Sequence, residues 1–98
     1  MPDYTIRVVL HGATAEHYDV LHSNMATVGA RRTITRTDGL AFDLPDGEYI
    51  LSDPLSVDSV RDRVLAIANL AKPQPEPSVL VSHTKQWAWQ LRPTPGQS

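Results

Sequence analysis

The spacing of hydrophobic residues changes along this chain, and each spacing is typical of one kind of secondary structure. Apolar and polar residues alternate from Tyr4 to Leu10, which predicts a strand with one face in a core. From Thr14 to Val28 the apolar residues fall three and four positions apart, which predicts an amphipathic helix ended by Gly29. The chain is therefore expected to begin with a strand and a helix.

The same order returns in the rest of the chain. Four further segments have the residue types of regular elements: strands at 31–36, 48–52 and 78–82, and a helix at 57–70 capped by Ser56. The Asp38-Gly39 pair is typical of a hairpin turn. Residues 40–44 fit either a short strand that pairs across this turn or a loop, and residues 86–91 fit a further strand.

The predicted order is strand–helix–strand–strand–helix–strand, which is the split βαβ plan of the ferredoxin-like fold. We therefore expect an α+β protein with an antiparallel four-stranded sheet and two helices on one face of it. Residues 1–92 are expected to form this single ferredoxin-like domain, and residues 93–98 a flexible C-terminal tail.

Composition and charge narrow the class of protein. The chain has 98 residues, and because a domain of this size buries little surface, a homodimer is expected. A net charge of −2 argues against strong non-specific binding of nucleic acid, although it allows a local basic patch. The chain has no cysteine, no apolar run long enough to span a membrane and no signal-peptide pattern. We therefore expect a cytoplasmic protein without a membrane partner.

Histidines and carboxylates are the first candidates for chemistry. His11 follows the first strand and His83 falls at the end of the last one, and the predicted sheet would bring both near the same edge. His17 and His22 lie about 140° apart around a helix axis, so they do not converge on a metal. Three loop aspartates have the sequence context of turns: Asp43, Asp46 and Asp53. We expect no bound metal and no cofactor.

The one basic concentration lies in the second predicted strand. It consists of Arg31, Arg32 and Arg36, and Arg7 of the first strand is expected to join it. In a regular strand Arg32 and Arg36 share one face with Ile34. Two guanidinium groups on an open face can hold a phosphate or carboxylate through paired hydrogen bonds. These arginines are therefore the best candidates for an anionic ligand.

A set of core and turn residues resembles the GhoS family of small antitoxins with endoribonuclease activity. The set comprises Tyr18, Leu21 and Met25, then Gly39, Leu44, the run Glu48-Tyr49-Ile50-Leu51, and Ser56. The resemblance spans Tyr4 to about Ser82. It implies a ferredoxin-like fold, similarity to the small nucleases of CRISPR adaptation, and an antitoxin-like protein that binds or cleaves single-stranded RNA.

This chain departs from these families at two positions, so their functional residues cannot be assigned to it. The CRISPR-type nucleases have an aspartate at the end of the first strand, where this chain has Leu10-His11. GhoS-type proteins carry arginines in the first helix, which has none here. The chain's own residues instead predict His11 as the general base and Arg32 as the group that stabilises the phosphorane, both catalytic. Substrate binding is assigned to the remaining arginines: Arg7, Arg31 and Arg36.

Two other functions fit the same sequence. Trp87 and Trp89 share one face of the segment 86–91, and such a pair most often fills a core or covers an interface, with base stacking as the alternative. The chain is then a non-catalytic dimeric interaction module that uses its open sheet face. A third option is a small-molecule site inside a dimeric α/β barrel, with His11 and Arg36 near the ligand.

Overall fold

A computed structural model describes residues 1–97 of the chain. Its elements follow in the order β1 (Asp3–Val9), α1 (Ala15–Thr27), β2 (Thr33–Thr35), β3 (Ala41–Asp43), β4 (Glu48–Ser52), α2 (Val57–Ala71) and β5 (Ser78–Thr84). The fold is α+β, with two helices and antiparallel sheets in an arrangement compatible with the ferredoxin-like plan. Neither helix of the described chain is long and apolar enough to cross a membrane.

The main sheet has three antiparallel strands in the order β4–β1–β5, so β1 is its central strand. Its register places Arg7 opposite Glu48 of β4 and opposite Leu80 of β5. Both helices pack on the same face of this sheet. The residues that form this core are the inward positions of β1 and β4, Tyr4, Ile6, Val8, Leu10, Tyr49 and Leu51, with Leu21 and Met25 of α1 and Val60, Val64, Ile67 and Ala68 of α2. The sequence alternation of β1 therefore separates a helix-covered face from a second, open face.

The predicted four-stranded sheet is wrong, because the expected neighbour of β4 leaves the sheet after one residue. Arg31 pairs with Ile50 through two backbone hydrogen bonds of 2.8 Å, and the chain then bends at Arg32. Residues Thr33–Thr35 pair instead with Ala41–Asp43 across the Asp38-Gly39 turn. Residues 40–44 thus contribute a strand, and the result is a separate two-stranded hairpin beside a three-stranded sheet.

This hairpin covers part of the open face with a second hydrophobic cluster. Its buried members are Ile34, Phe42 and Ile50, and Trp89 and Leu91 pack against them. Residues 86–91, which fit a further strand in the sequence, join no strand and cross this cluster as an irregular segment. The half of the open face formed by β1 and β5 is left without such a cover and carries the exposed Arg7 and Leu80.

Residues 93–97 contact the hairpin through β3. Thr94 N–H donates to the Ala41 carbonyl at 3.0 Å, and the Ala41 N–H donates to the Gln97 side chain at 2.7 Å. Pro93 forms a bridge with Phe42. The predicted domain boundary at residue 92 and the flexibility of the tail stay predictions, and Ser98 lies outside the described residues.

Substitution of Gly47 by alanine should be the most damaging change in the turn before β4. Gly47 has φ +80°, and an added Cβ would lie 2.5 Å from the Val8 carbonyl oxygen. The Gly47 carbonyl accepts the Val8 N–H at 2.8 Å, so the turn is also tied to β1 at this residue. Gly39→Ala is the matched control, because Gly39 has φ +90° and open space around it. Urea unfolding should show a loss of about 1–2 kcal/mol for Gly39→Ala and about 2 kcal/mol more for Gly47→Ala. Equal losses would contradict the proposed clash.

Candidate functional site

His11 lies on the open face at the end of the sheet where β1 stops and β5 begins. Val9 is paired with Ser78, so the two strands are still adjacent when the chain reaches His11. The His11 ring nitrogen Nε2 is 2.9 Å from the Ser78 hydroxyl, and both side chains are exposed to solvent. An imidazole in this position is held by one hydrogen bond and remains accessible to a ligand.

Arg7 lies on the same face of the same strand, because Arg7, Val9 and His11 alternate with the buried Val8 and Leu10. A surface depression of about 220 Å³ is lined by Arg7, Val9 and Ser78 together with Val79 and Leu80. One guanidinium group and one imidazole therefore flank the same hydroxyl. Among residues 1–97, no side-chain hydrogen bond or ion pair engages the Arg7 guanidinium.

Arg32 belongs to a different group of side chains, on the side of the sheet that the helices cover. It is close enough to His22 of α1 and Tyr49 of β4 to affect the pKa of both. The Tyr49 hydroxyl forms a short hydrogen bond with His22 Nδ1. A depression of about 380 Å³ beside them is lined by Tyr18, His22 and three neighbours, Ala15, Asp19 and Asp46. The predicted catalytic role of Arg32 stays a prediction.

Burial controls the protonation of this second group. Partial burial lowers the pKa of His22 below 6.5, the nearby Arg32 lowers it further, and the carboxylates of Asp19 and Asp46 act in the opposite direction. Burial also raises the pKa of Tyr49 to about 12. His22 is therefore neutral at pH 7 and Tyr49 keeps its proton. A neutral imidazole on a protonated phenol joins α1 to β4 without placing a charge beside the core.

The other two arginines of the predicted basic concentration lie apart from both groups. Arg31 is exposed on the side of β4 that carries Ile50. Arg36 forms an ion pair with Asp38 at 2.6 Å, and its guanidinium lies 5.1 Å from the centre of the Phe42 ring. This pairing holds the pKa of Asp38 at about 2. Arg32 and Arg36 do not share a site, because the bend at Arg32 interrupts the alternation on which that prediction depended.

The two tryptophans differ in their surroundings. The Trp89 ring packs on Phe42 with ring centres 4.7 Å apart and belongs to the second cluster. Trp87 is 45% exposed. Trp89 thus has a core contact within its own chain, and the predicted interface role of both residues stays a prediction.

The expectation that His11 and His83 lie near one edge is wrong. Because β1 and β5 are antiparallel, His83 is paired with Tyr4 near the start of β1, whereas His11 follows the end of that strand. The His83 ring lies 5.6 Å from the Tyr4 ring. The length of the sheet therefore separates the two histidines.

Carboxylates and histidines of residues 1–97 form no group of three that could hold a metal ion. The predicted turn aspartates have other partners. The Asp53 carboxylate accepts hydrogen bonds from the Leu55 N–H at 2.9 Å and from Arg63 at 3.3 Å, and Asp43 accepts one from Thr94 at 2.7 Å.

His17, His22 and Tyr49 have contacts that the sequence pattern does not reveal. His17 Nδ1 accepts the N–H of Thr14 at 3.0 Å and so helps to cap α1. His22 lies one helical turn after Tyr18, and this spacing is the one sequence signal that it shares a face with an aromatic residue. Tyr49 alternates into the core like Leu51, and only the packed structure places its hydroxyl on an imidazole.

No model of a known protein family matches this chain, and no curated protein sequence matches it.

The folded protein should lose stability as His22 becomes protonated. Because the folded-state pKa of His22 is lowered, its contribution is present above the unfolded-state pKa of 6.5 and is lost as the pH falls from 6.5 through the lowered folded-state pKa. The urea midpoint of wild type should therefore fall between about pH 8 and about pH 5. His22→Gln should flatten this dependence, and the control His83→Gln, at the far end of the sheet, should keep it. A wild-type slope in His22→Gln would contradict this.

Proposed function

We propose that this protein binds single-stranded RNA across the open face of its sheet and cleaves it, in the manner of the small antitoxin endoribonucleases that its sequence resembles. The observation that carries the proposal is the exposed His11 imidazole, 2.9 Å from Ser78 and on the same face as Arg7. His11 contacts Ser78, and Ser78 and Arg7 line one surface depression, so a base and a cation are available on the same face for phosphodiester cleavage. The expected compartment is the cytoplasm.

The proposed reaction uses the substrate's own 2′-hydroxyl as the nucleophile. Neutral His11 accepts the proton of that hydroxyl as its oxygen attacks the phosphorus. The bond from phosphorus to the 5′-oxygen breaks, the leaving oxygen takes a proton from solvent, and the products are a 2′,3′-cyclic phosphate and a free 5′-hydroxyl. Arg7 holds the phosphate and stabilises the charge of the phosphorane. Ser78 orients the imidazole and does not form a covalent intermediate.

The overall charge fits a small local contact better than an extended basic groove. The net charge is −2, and Arg36 is already paired with Asp38. Arg7 is the cation that lines the depression with Ser78, and few phosphates would be neutralised there. Weak binding with a shallow salt dependence is therefore expected, and base contacts have to supply the rest of the affinity.

Removal of the imidazole should slow cleavage of a labelled single-stranded RNA while leaving binding intact. His11→Ala should lower the cleavage rate by about 10²–10⁴-fold, because a positioned general base contributes that much. Arg7→Ala should weaken binding and reduce the slope of log affinity against log salt by about 0.7. A substrate with a 2′-deoxyribose at the cleaved position should resist cleavage.

Two control variants keep this test specific. His83→Ala removes an exposed histidine at the opposite end of the sheet, and Arg61→Ala removes an exposed cation on α2. Both should bind and cleave like wild type. Unchanged cleavage by His11→Ala would remove the catalytic proposal, and unchanged salt dependence in Arg7→Ala would remove the assigned phosphate contact.

A second candidate function is a dimeric protein-interaction module that uses the same face. Leu80 on the edge strand is 63% exposed and Trp87 is 45% exposed, so both large apolar side chains are available to a partner. Strand β5 carries no Asp, Glu, Lys or Arg that would discourage pairing of its free edge. These features favour contact with another copy of the chain.

The mass of the protein in solution tests the second candidate. Leu80→Ser combined with Trp87→Ala should convert a dimer to a monomer in sedimentation experiments, because both exposed apolar side chains are lost. Leu70→Ser is the matched control, since Leu70 is 75% exposed on α2. An unchanged mass in the double variant, or a monomeric wild type, would contradict the interaction module.

A further inference from the structure

A cleft of about 330 Å³ lies between the open face of the sheet and the segment 86–91. Its floor is formed by Thr5 of β1 and Ile50 of β4, and its walls by Ile34, Leu44 and the tryptophans. The cleft is thus apolar on most of its surface. Its volume is sufficient for one planar heterocycle and too small for a folded peptide element.

Trp87 is the accessible aromatic ring of this cleft. Trp89 is already packed on Phe42, whereas Trp87 is 45% exposed and lines the cleft beside Ala88. Stacking on a tryptophan ring favours any base by a similar amount, because every base has a π face. Trp87 therefore explains attraction of a base but no choice among bases.

Glu48 is the charged residue among those that line the cleft, where Thr5 and Gln90 are the neutral polar ones. It is half-buried at the start of β4, and within residues 1–97 no hydrogen bond or ion pair satisfies its carboxylate. A carboxylate offers two acceptor oxygens and no donor. It therefore selects a ligand that presents two adjacent N–H donors in one plane.

Guanine is the standard base that meets this requirement. Its Watson–Crick edge carries the N1–H and N2–H donors side by side. Cytosine and adenine present a ring-nitrogen acceptor beside their amino group, and uracil presents one N–H between two carbonyls. Cytosine, adenine and uracil would each direct a lone pair at the Glu48 carboxylate, and this repulsion weakens binding in a partly desolvated site.

We propose that this cleft is a guanine-binding pocket, with Trp87 stacking on the base and Glu48 pairing with its N1–H and N2–H groups. The inference rests on the proposed RNA function and adds a substrate preference to it. Glu48 is directly opposite Arg7 in the sheet, and Arg7 also lines the depression that contains Ser78. The cleft and the depression beside Ser78 are therefore neighbours on one face of the sheet, so a single RNA strand can contact both.

Binding of labelled RNA to catalytically inactive His11→Ala tests the pocket. The probes are an octamer of uridines and the same octamer with one uridine replaced by guanosine, adenosine or cytidine. Guanosine should tighten binding by about tenfold, and the other two replacements by less than about twofold. Adding Glu48→Gln should abolish the preference for guanosine, and Trp87→Ala should weaken binding of all four RNAs by about tenfold. Glu76→Gln, which removes the same charge from the linker before β5, should change neither.

Intrinsic tryptophan fluorescence with guanosine monophosphate separates failure of the pocket from failure of the RNA function. Binding of the uridine octamer without any guanosine preference, or a preference that survives Glu48→Gln, overturns the pocket and leaves RNA binding standing. Failure to bind any RNA together with a fluorescence response that Glu48→Gln abolishes supports the pocket and overturns the RNA function. No response to either probe overturns both.

Discussion

The alternation along β1 is the constraint on which the rest of the structure depends. This strand is paired on both edges, so its inward residues face both helices and its outward residues lie at the middle of the open face. A shift of one residue in its register would exchange Val8 for Arg7 and place a charge in the core. Burial of the inward set therefore fixes where Arg7 and His11 are displayed.

The bend at Arg32 divides the arginines among three environments. Before the bend, Arg31 is paired with Ile50 of β4. At the bend, Arg32 lies close enough to His22 and Tyr49 to affect the pKa of both. After the bend, Arg36 forms an ion pair with Asp38 beside the second cluster. Apart from Tyr4 and Tyr49, whose hydroxyls form hydrogen bonds, no polar or charged side chain among residues 1–97 is buried. The proposed catalytic groups, His11 and Arg7, are exposed, so water competes for them and specificity depends on a few well-placed contacts.

The helices, three of the strands and the helix-covered core follow from the sequence, because each depends on local spacing. The position of Tyr49 in the core follows from the alternation of β4, and the cap by Ser56 follows from the residue type that precedes the helix. The departure of the chain from the sheet after Arg31 could not be predicted in this way. It depends on a competition between pairing with β4 and closing the Asp38-Gly39 hairpin, and both options use the same β-branched residues.

The sequence indicates only those parts of the candidate site that depend on local spacing. His11 could be placed at a strand end from the sequence, whereas its neighbour Ser78 follows only from the β1–β5 register. The link between His22 and Tyr49 joins residues 27 positions apart and has no local signal. Glu48 reads as an ordinary strand residue until the segment 86–91 closes a cleft above it.

The proposed function requires that the open face, and not the helices, binds the RNA. Backbone amide chemical shifts of the labelled protein, followed by NMR while a guanosine-containing single-stranded RNA is added, test it most directly. RNA binding at the open face should change the amide chemical shifts of Thr5, Arg7, Leu80 and Trp87. The amide signals along the solvent-facing side of α2 should stay unchanged. Shifts confined to the helices, or no shifts at all, would contradict it.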